Sequence, residues 1–399
     1  MRILFVAMSN SVHAARWLDQ IADCGWDVHL FPSQDFGATH PFLRNVTVHH
    51  SVYGAESGLH STVRRRGINL MFRSVAYVAR RAIKQQYPQY RARSLARVVR
   101  RLQPDIVHSL EFQAAGYMTL EARQAIGAGF PAWIATNWGS DIYLFGRLPE
   151  HQKRIRSILE SCDYYSCECV RDVDLARSHG LSGKVLPIIP NGGGFDLAEA
   201  ELLRAQGPTS RRRSIMLKGY QHWAGRALVG LRALERCADM LGEYTVVIYS
   251  ASDDVSLAAS LFTAKTGVKT LILPKDTPRR EILAHHGQAR ISIGLSISDA
   301  ISTSFLEAMM MGSFPIQSDT SCANEWATHG ETTLLVPPED PEQLEAALRL
   351  GLTDDALVDS AALRNWEAAK TRLDQRLIKP EVVELYKRIA TERSARASV

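Results

Sequence analysis

Residues 298–312, SDAISTSFLEAMMMG, place three hydroxyl side chains between two acidic residues. The preceding run ARISIGLS has the composition of a strand, and the apolar residues that end at Gly312 predict a short helix. We expect this helix to begin near Ser302 or Thr303. The first N–H groups of a helix are unpaired and carry a partial positive charge, so they bind phosphates. The hydroxyls of Ser302, Thr303 and Ser304 can add contacts to such a ligand.

The two acidic residues extend this interpretation. Glu307, inside the predicted helix, can accept hydrogen bonds from a ribose, and Asp299, outside it, would lie near the other end of the ligand. A second interpretation stays open, because Ser304 and Glu307 have the spacing of a capping box, a local device that needs no ligand. The sequence alone therefore leaves both a nucleotide site and a plain helix cap.

The elements around this stretch alternate between apolar runs and amphipathic segments. The runs RILFVAM, DVHLF, DIVHSL, AWIATNW and YYSCECV come first, and SIMLKGY, YTVVIYS, TLILP, ARISIGL and SFPIQS follow a polar, basic linker at 206–214. Strands that alternate with helices predict parallel sheets covered on both faces. We expect two Rossmann-like α/β domains, 1–206 and 207–375, and a C-terminal helix within 376–399 that docks back on the first domain.

The composition narrows the class of protein. Hydrophobic residues make up 46% and charged residues 22% of 399 residues, which is typical of a soluble globular protein. A net charge of +5 does not imply nucleic acid binding. The six cysteines lack the spacing of a zinc site or a disulfide framework, which favours a reducing cytoplasm. No run approaches the roughly 20 apolar residues that span a bilayer.

Residues 64–101 differ from the rest of the chain, because they contain twelve Lys and Arg and no Asp or Glu. Apolar residues recur there at helical spacing, which predicts basic amphipathic helices. One interpretation is a solvated helix face. The other is a surface for anionic lipid headgroups or a lipid-phosphate acceptor, with nucleic acid as a minor alternative.

The segment DAISTSFLEAMMMGSFPIQSD resembles the E-x7-E segment of the retaining GT-B glycosyltransferases of family 4, or group 1. Seven residues separate Asp299 and Glu307, as in that segment, although the first acid is Asp here. The continuation through TTLLVPPEDPEQLEAAL and the segment IIPNGGGFDL are also similar to that family. The resemblance covers most of the chain and implies the GT-B fold, in which two Rossmann-like parallel-sheet domains face a central cleft.

The resemblance also implies roles on the second domain. Glu307 would hold the ribose of a nucleotide sugar, Asp299 would lie near the donor sugar, and backbone groups around Thr303 and Ser304 would hold the diphosphate. The family places basic residues after the first strand of this domain, where the sequence offers Lys218 and, further along than usual, Arg226. Two cations suit a leaving diphosphate, because negative charge develops on it as the glycosidic bond breaks.

The first domain should then hold the acceptor. Its candidate residues lie where predicted strands end: His13 after the first strand, and Trp138 and Asp141 in TNWGSDIY. The family often has a His at the position of Asn137 and Trp138. His108 and Glu111, in VHSLEF, are further candidates, although a lone His is more often structural.

The resemblance implies a retaining transferase that moves a sugar from a nucleoside-diphosphate sugar to a hydroxyl, and with the basic segment it predicts a glycan or lipid-linked glycan as acceptor, for example in bacterial envelope polysaccharide assembly. No metal or other cofactor is expected, since no Asp-x-Asp signature lies in a suitable loop and two cations can replace a metal. We expect a cytoplasmic protein, peripheral on the inner face of the membrane if residues 64–101 contact lipid. Nucleic acid is not an expected partner.

Other functions remain open on the same sequence. A nicotinamide dehydrogenase is disfavoured, because no G-x-G-x-x-G follows a strand. A non-catalytic nucleotide-binding module and a GT-B nucleotide-sugar epimerase both fit the same motifs.

Overall fold

A computed structural model describes residues 1–87, 89–190 and 192–397, with side chains to residue 393. The chain divides into two compact units. Unit 1 comprises Met1–Gly193 and the chain from Leu377 onward, and unit 2 comprises Gly194–Arg376. The predicted PNG segment includes Asn191, which lies outside the described residues.

Unit 1 is built on an eight-stranded sheet in the order β4-β3-β2-β1-β5-β6-β7-β8, parallel throughout. Its central strand is almost wholly apolar, as expected of a strand covered on both faces. The strands are β1 (Arg2–Ala7), β2 (Asp27–Pro32), β3 (Thr47–Tyr53), β4 (Arg64–Asn69), β5 (Ile106–Leu110), β6 (Ala132–Thr136), β7 (Tyr164–Ser166) and β8 (Lys184–Val185).

Helices cover both faces of this sheet and bury separate apolar clusters against it. The α-helices of unit 1 are α1 (Val12–Asp19), α2 (Arg73–Gln86), α3 (Tyr90–Leu102), α4 (Tyr117–Ile126), α5 (Ser140–Tyr143), α6 (Pro149–Ser161) and α7 (Val170–Ser178), with most of the C-terminal helix α15 (Gln375–Ala397).

Unit 2 is built on a six-stranded parallel sheet in the order β11-β10-β9-β12-β13-β14. Its strands are β9 (Ser214–Lys218), β10 (Thr245–Tyr249), β11 (Lys269–Ile272), β12 (Ile291–Gly294), β13 (Phe314–Ser318) and β14 (Leu334–Val336). Its α-helices are α8 (Leu197–Leu203), α9 (Ala227–Arg236), α10 (Asp253–Thr266), α11 (Arg279–Gln288), α12 (Thr303–Met311), α13 (Pro341–Thr353) and α14 (Asp355–Arg372).

The boundary between the units corrects the prediction of 206/207, since it falls at Gly193/Gly194. Residues after Gly194 form α8, whose Leu197 and Ala200 are buried in an apolar cluster with Met310 of α12. The polar, basic linker at 206–214 therefore lies within unit 2, where Thr209, Ser210 and Arg212 of this segment are buried.

The last helix packs on unit 1, where Val382, Tyr386 and Ile389 enter the cluster that contains Trp17 of α1. The Tyr386 hydroxyl contacts Nδ1 of His108 at 2.7 Å and accepts a hydrogen bond from Trp17 Nε1 at 2.9 Å. α15 begins at Gln375, one residue before the range predicted for this helix, and Pro380 lies inside it near its start. His108 is buried in this network, so its role here is structural.

The basic segment is only partly helical, which corrects the prediction for residues 64–101. Its first six residues form β4, the edge strand, paired in parallel with β3 from Thr47↔Arg64 onward. Helices α2 and α3 account for most of the remainder. Pairing between strands depends on a distant partner, so the helical spacing of the segment could not reveal it.

Among the helices of the described residues, none is long and apolar enough to cross a membrane.

Candidate active site

The strand order of unit 2 locates the place where ligands bind in open α/β sheets. The connections reverse direction between β9 and β12, which are neighbours in the sheet. Ligands bind at such a switch point, outside the carboxyl ends of the strands. Lys218 is the last residue of β9, and the loop from Leu295 to Ser302 follows β12. The fold therefore brings these segments together at one edge of the sheet.

A cavity of about 140 Å³ lies at this edge. Three of the predicted residues line it: Lys218, Asp299 and Ser302. Other polar and aromatic residues also line this cavity and were not predicted from the sequence. They include His222, Trp223 and Gln317.

Helix α12 begins at Thr303 with Ser302 as its N-cap residue, as predicted. The Ser302 side chain makes no capping hydrogen bond. In the part of the chain that the structure describes, the backbone N–H groups of Thr303 and Ser304 make no hydrogen bond either. Gly312, in the left-handed conformation with φ of 76°, ends the helix. The terminus therefore keeps unpaired donors of the kind that bind phosphate.

The capping box that competed with this interpretation is not formed. With Ser302 as N-cap, Glu307 lies five positions into the helix rather than at the third position, where a capping-box acid reaches back to the cap. The Glu307 carboxylate instead accepts from Arg279. The alternative of a plain capping box at residues 304–307 is therefore wrong.

Lys218 places a cation at this helix terminus. Its Nζ donates to Ser302 Oγ at 3.5 Å and lies 4.8 Å from the centroid of the Tyr220 ring. Ser302 Oγ is also 2.8 Å from Ser304 Oγ. One ammonium, two hydroxyls and the start of a helix thus form a single positive, donor-rich surface.

Glu307 is buried, with 7% of its surface exposed, and its Oε1 accepts a hydrogen bond from Arg279 Nε at 3.0 Å. The Arg279 guanidinium also lies over the Phe195 ring, 4.9 Å from its centroid. Sequence reasoning missed Arg279. Its position at the start of α11, shortly after β11, was the available signal, because such loops end at the ligand-binding edge of the sheet.

Arg226 does not line the cavity. Its Nε donates to Glu339 at 2.7 Å, and its Nη1 donates to backbone carbonyls of residues 222, 224 and 225. These bonds hold the loop between β9 and α9, where Gly225 approaches so closely that a Cβ would meet the Tyr220 carbonyl oxygen at 2.3 Å. The catalytic role of Arg226 stays a prediction.

In unit 1 the strand order reverses between β1 and β5, so the corresponding edge carries the residues predicted to bind the acceptor. His13 lies on α1, directly after β1, and its ring centroid is 5.9 Å from that of Trp138, which follows β6. The structure therefore brings two of the three predicted residues together.

Asp141, the third, is buried with 6% exposure, and its Oδ2 accepts from the backbone N–H groups of Trp138 at 2.7 Å and Phe112 at 3.2 Å. Burial raises the pKa of Asp141, and the nearby Glu111 carboxyl raises it further. Burial likewise raises the pKa of Glu111, which accepts from the N–H groups of two residues in the next helical turn. These contacts make Asp141 a residue that holds two loops together, and direct acceptor binding by it stays a prediction.

A second cavity, of about 610 Å³, opens at the same edge of unit 1. It lies beside residues 33–36, which follow β2, and Ala114, which follows β5. Sequence reasoning identified the basic segment but not this cavity. Its charged lining residues are Asp35, Arg80, Arg81, Lys84 and Arg91.

Two parallel-sheet α/β units, each with a switch point in its strand order, define the class of two-domain α/β proteins. Two family models match the chain: Glycosyl transferase 4-like at residues 2–164 and Glycosyl transferases group 1 at residues 232–371. The chain belongs to the GT4-like, group 1 glycosyltransferases. The predicted family is therefore confirmed.

Solved structures agree with this assignment at the level of the fold. Sucrose-phosphate synthase from Thermosynechococcus elongatus matches with a TM-score of 0.71 and 14% identity, over 98% of this chain and 100% of that one. Trehalose 6-phosphate synthase from Burkholderia multivorans matches with a TM-score of 0.70 and 12% identity, over 99% and 98%. Anabaena HepE, in complex with UDP-glucose, matches with a TM-score of 0.65 and 16% identity, over 97% and 99%. The predicted GT-B fold is confirmed.

No curated protein matches the sequence significantly.

Proposed function

We propose that the protein transfers a sugar from a nucleoside-diphosphate sugar, bound on unit 2, to a hydroxyl of a glycan or lipid-linked glycan bound on unit 1, with retention of anomeric configuration. The setting we propose is envelope polysaccharide assembly on the cytoplasmic face of a bacterial membrane.

The observation that carries this proposal is the contact between Lys218 and Ser302 at the uncapped start of α12. A donor diphosphate placed there would receive N–H groups from Thr303 and Ser304, a full positive charge from Lys218, and the positive end of the helix dipole. Negative charge grows on the leaving diphosphate as the glycosidic bond breaks, so donors fixed in advance stabilise the transition state more than the ground state.

The same arrangement supports transfer without a divalent cation. Lys218 and the α12 terminus supply the positive charge that a metal ion supplies in other transferases. In the retaining mechanism we propose, the leaving phosphate oxygen accepts the proton of the acceptor hydroxyl, so no protein nucleophile is required. Asp299, which lines the donor cavity, would orient the transferred sugar, and Glu307 would accept hydrogen bonds from the ribose.

The nucleotide is the first thing to identify. HepE, a structural neighbour, binds UDP-glucose, which supports testing uridine nucleotides first. Calorimetric titration of the full chain with UDP, GDP, dTDP, ADP and CMP should show one tight diphosphate ligand whose binding is lost in Glu307→Ala. If no nucleotide binds the wild-type protein, the donor site is wrong, and a protein without transferase activity becomes the better interpretation.

Activity assays then separate the remaining candidates. A transferase in the presence of its acceptor forms a glycoside, and NMR of the anomeric proton should show the donor's configuration. An epimerase would release free nucleotide without any acceptor, and a binding module would leave the donor intact. Turnover that persists in excess EDTA would support metal independence, whereas complete loss that Mg²⁺ restores would contradict it.

The membrane contact we propose uses α2, which exposes apolar side chains beside basic ones. Val75 and Val78 of α2 are 49% and 64% exposed, and Phe72, directly before the helix, is 65% exposed. Arg81 and Lys84 lie on the same helix, and residues 64–101 carry no acid to oppose them. Such a helix binds an anionic bilayer through both apolar burial and charge.

Sedimentation with phosphatidylglycerol vesicles tests this contact. Val75→Ser/Val78→Ser should weaken vesicle binding severalfold, whereas Leu257→Ser/Leu261→Ser, which removes two exposed apolar side chains from α10, should not. Equal binding by both double variants would contradict the α2 surface.

A further inference from the structure

A third cavity, of about 570 Å³, lies on unit 1 between α3 and strands β2 to β4. None of the residues that line it belongs to α2 or to the predicted acceptor residues. We call it the arginine pocket and define it by Arg66, Arg91, Arg97, Arg101, His49 and His50.

The arginines reach this pocket for a geometric reason. Arg91, Ser94, Val98 and Arg101 recur at intervals of three or four residues and so lie on one stripe of α3, Arg97 borders this stripe four residues before Arg101, and Arg66 faces them from β4. With a rise of about 1.5 Å per residue, the stripe runs for about 15 Å along the helix. Since α3 leads into β5, it runs antiparallel to the strands and carries Arg101 away from the carboxyl edge where the acceptor residues lie.

The charge of the pocket is not balanced from within. No Asp or Glu is among its described lining residues. Arg66, Arg97 and Arg101 have no carboxylate partner within the described chain, and Arg97 Nη2 donates only to Ser94 Oγ, at 3.1 Å. The nearest acid to Arg91 is Asp35, at 3.6 Å from its Nη1. Four guanidinium groups that share one cavity repel each other unless an anion joins them.

Buried polar atoms in the pocket wall also lack partners. Nε and Nη1 of Arg91 are buried without a hydrogen bond among the described residues, although its Nη2 donates to the Pro32 carbonyl. Nδ1 of His50, a residue with 5% exposure, is buried without a partner as well. Buried donors are rarely left unpaired, so Nε of Arg91, which has neither a hydrogen bond nor an ion pair among the described residues, indicates a polar ligand at this wall.

The two histidines add hydrogen-bonding nitrogens rather than charge. Burial lowers the pKa of His49 to about 3, with neighbouring His29, Arg101 and Arg66 contributing, and lowers that of His50 to about 4. Both rings are therefore neutral at physiological pH. The positive charge of the pocket comes from guanidinium groups alone, whose planar forks match the oxygens of a phosphate.

We propose that the arginine pocket binds a phosphate or diphosphate group at a site separate from the donor site of unit 2. The group comes either from a soluble phosphorylated compound or from a lipid headgroup. The proposal does not depend on the transfer reaction, because it uses only residues of the arginine pocket.

The test compares two pairs of exposed arginines on the same helix. Arg97→Gln/Arg101→Gln removes two charges from the pocket, and Arg93→Gln/Arg100→Gln removes two charges from α3 outside it. Both pairs are made in a full-length Lys218→Ala background, so that the donor site contributes little. Thermal melts followed by circular dichroism verify that each variant folds.

Equilibrium binding of radiolabelled pyrophosphate is the primary measurement. Because a hydrogen bond to a charged group contributes about 1.5–3 kcal/mol, the pocket variant should bind at least about tenfold more weakly than its background. The control pair should change affinity by less than about threefold, since it alters only long-range charge.

Two further binding measurements identify the source of the phosphate group. A difference between the pairs with glucose 6-phosphate supports a soluble compound, and a difference only with phosphatidic acid vesicles supports a headgroup. Equal behaviour of the two pairs toward all three probes overturns the proposal. Failure of the transferase proposal looks different, since it would appear as a lack of nucleotide binding by wild type with the arginine pocket unaffected.

Discussion

Arg279 and Glu307 form an ion pair between α11 and α12, with Nε of the guanidinium 3.0 Å from Oε1 of a carboxylate that is 7% exposed. No hydrogen bond to Glu307 Oε2 occurs within the described chain, which leaves one carboxylate oxygen for a ligand. Arg279 therefore fixes the carboxylate in place without using all of its acceptor capacity.

The first prediction concerns this pair. Arg279→Ala should raise the donor KM about tenfold or more and lower kcat less, because it leaves Glu307 buried without its partner and free to rotate. Arg280→Ala, which removes an exposed neighbour that pairs with Glu199, is the matched control. Steady-state kinetics with the identified donor measures both variants. A wild-type KM in Arg279→Ala would show that Arg279 does not position Glu307.

Lys218 should affect the chemical step instead. Lys218→Met keeps much of the side-chain volume but removes the charge beside Ser302, and we expect kcat to fall about 10²-fold or more, as when one transition-state donor is lost. Single-turnover measurements at saturating donor isolate this step. Lys275→Met, at an exposed position of unit 2, should leave it unchanged. Wild-type turnover by a folded Lys218→Met protein would remove Lys218 from the catalytic site.

The buried carboxyls of unit 1 should make its stability depend on pH. The pKa of Asp141 and that of Glu111 are both raised in the folded protein, so the folded state holds protons that the unfolded state loses above about pH 4. Stability should therefore fall as pH rises from about 4 toward neutrality, by up to about 1.4 kcal/mol per pH unit for each carboxyl.

Asp141→Asn should reduce this slope, because the amide oxygen can still accept from the Trp138 N–H but cannot ionise. The measurement is the free energy of unfolding in urea at a series of pH values, with Asp254→Asn, at an exposed position, as the control. An unchanged slope in Asp141→Asn would show that this carboxyl is ionised in the folded protein.

Local signals were sufficient for the donor side of the fold. The start of α12 followed from the residues around Ser302, because capping and helix periodicity act over a few positions. The contact of Lys218 with Ser302 joins residues 84 positions apart, and only the family resemblance indicated it. Neither a local signal nor the family resemblance indicated the ion pair of Arg279 with Glu307, since this pair depends on how two helices pack against each other.

The acceptor side was predicted less completely, for related reasons. Asp141 was recognised by its place after a strand, but its burial depends on the loop that contains Phe112. The prediction of a helix at β4 is wrong because the sequence of this basic segment does not reveal that it pairs with β3 at the edge of the sheet. The predicted domain boundary lies too far along the chain, because α8 packs in unit 2. This packing is a tertiary contact that the composition of the linker does not encode.

The last prediction concerns the docking of the C-terminal helix. Tyr386→Phe removes a buried hydroxyl that contacts both His108 Nδ1 and Trp17 Nε1, and so leaves two buried polar groups unpaired. We expect unit 1 to lose about 1–3 kcal/mol of stability, measured by urea denaturation. Tyr77→Phe, at a position that is 59% exposed, should be neutral. Amide exchange should also become faster in α15 than in α14. If Tyr386→Phe were as stable as wild type, apolar packing around Val382 and Ile389 would be sufficient to hold the helix.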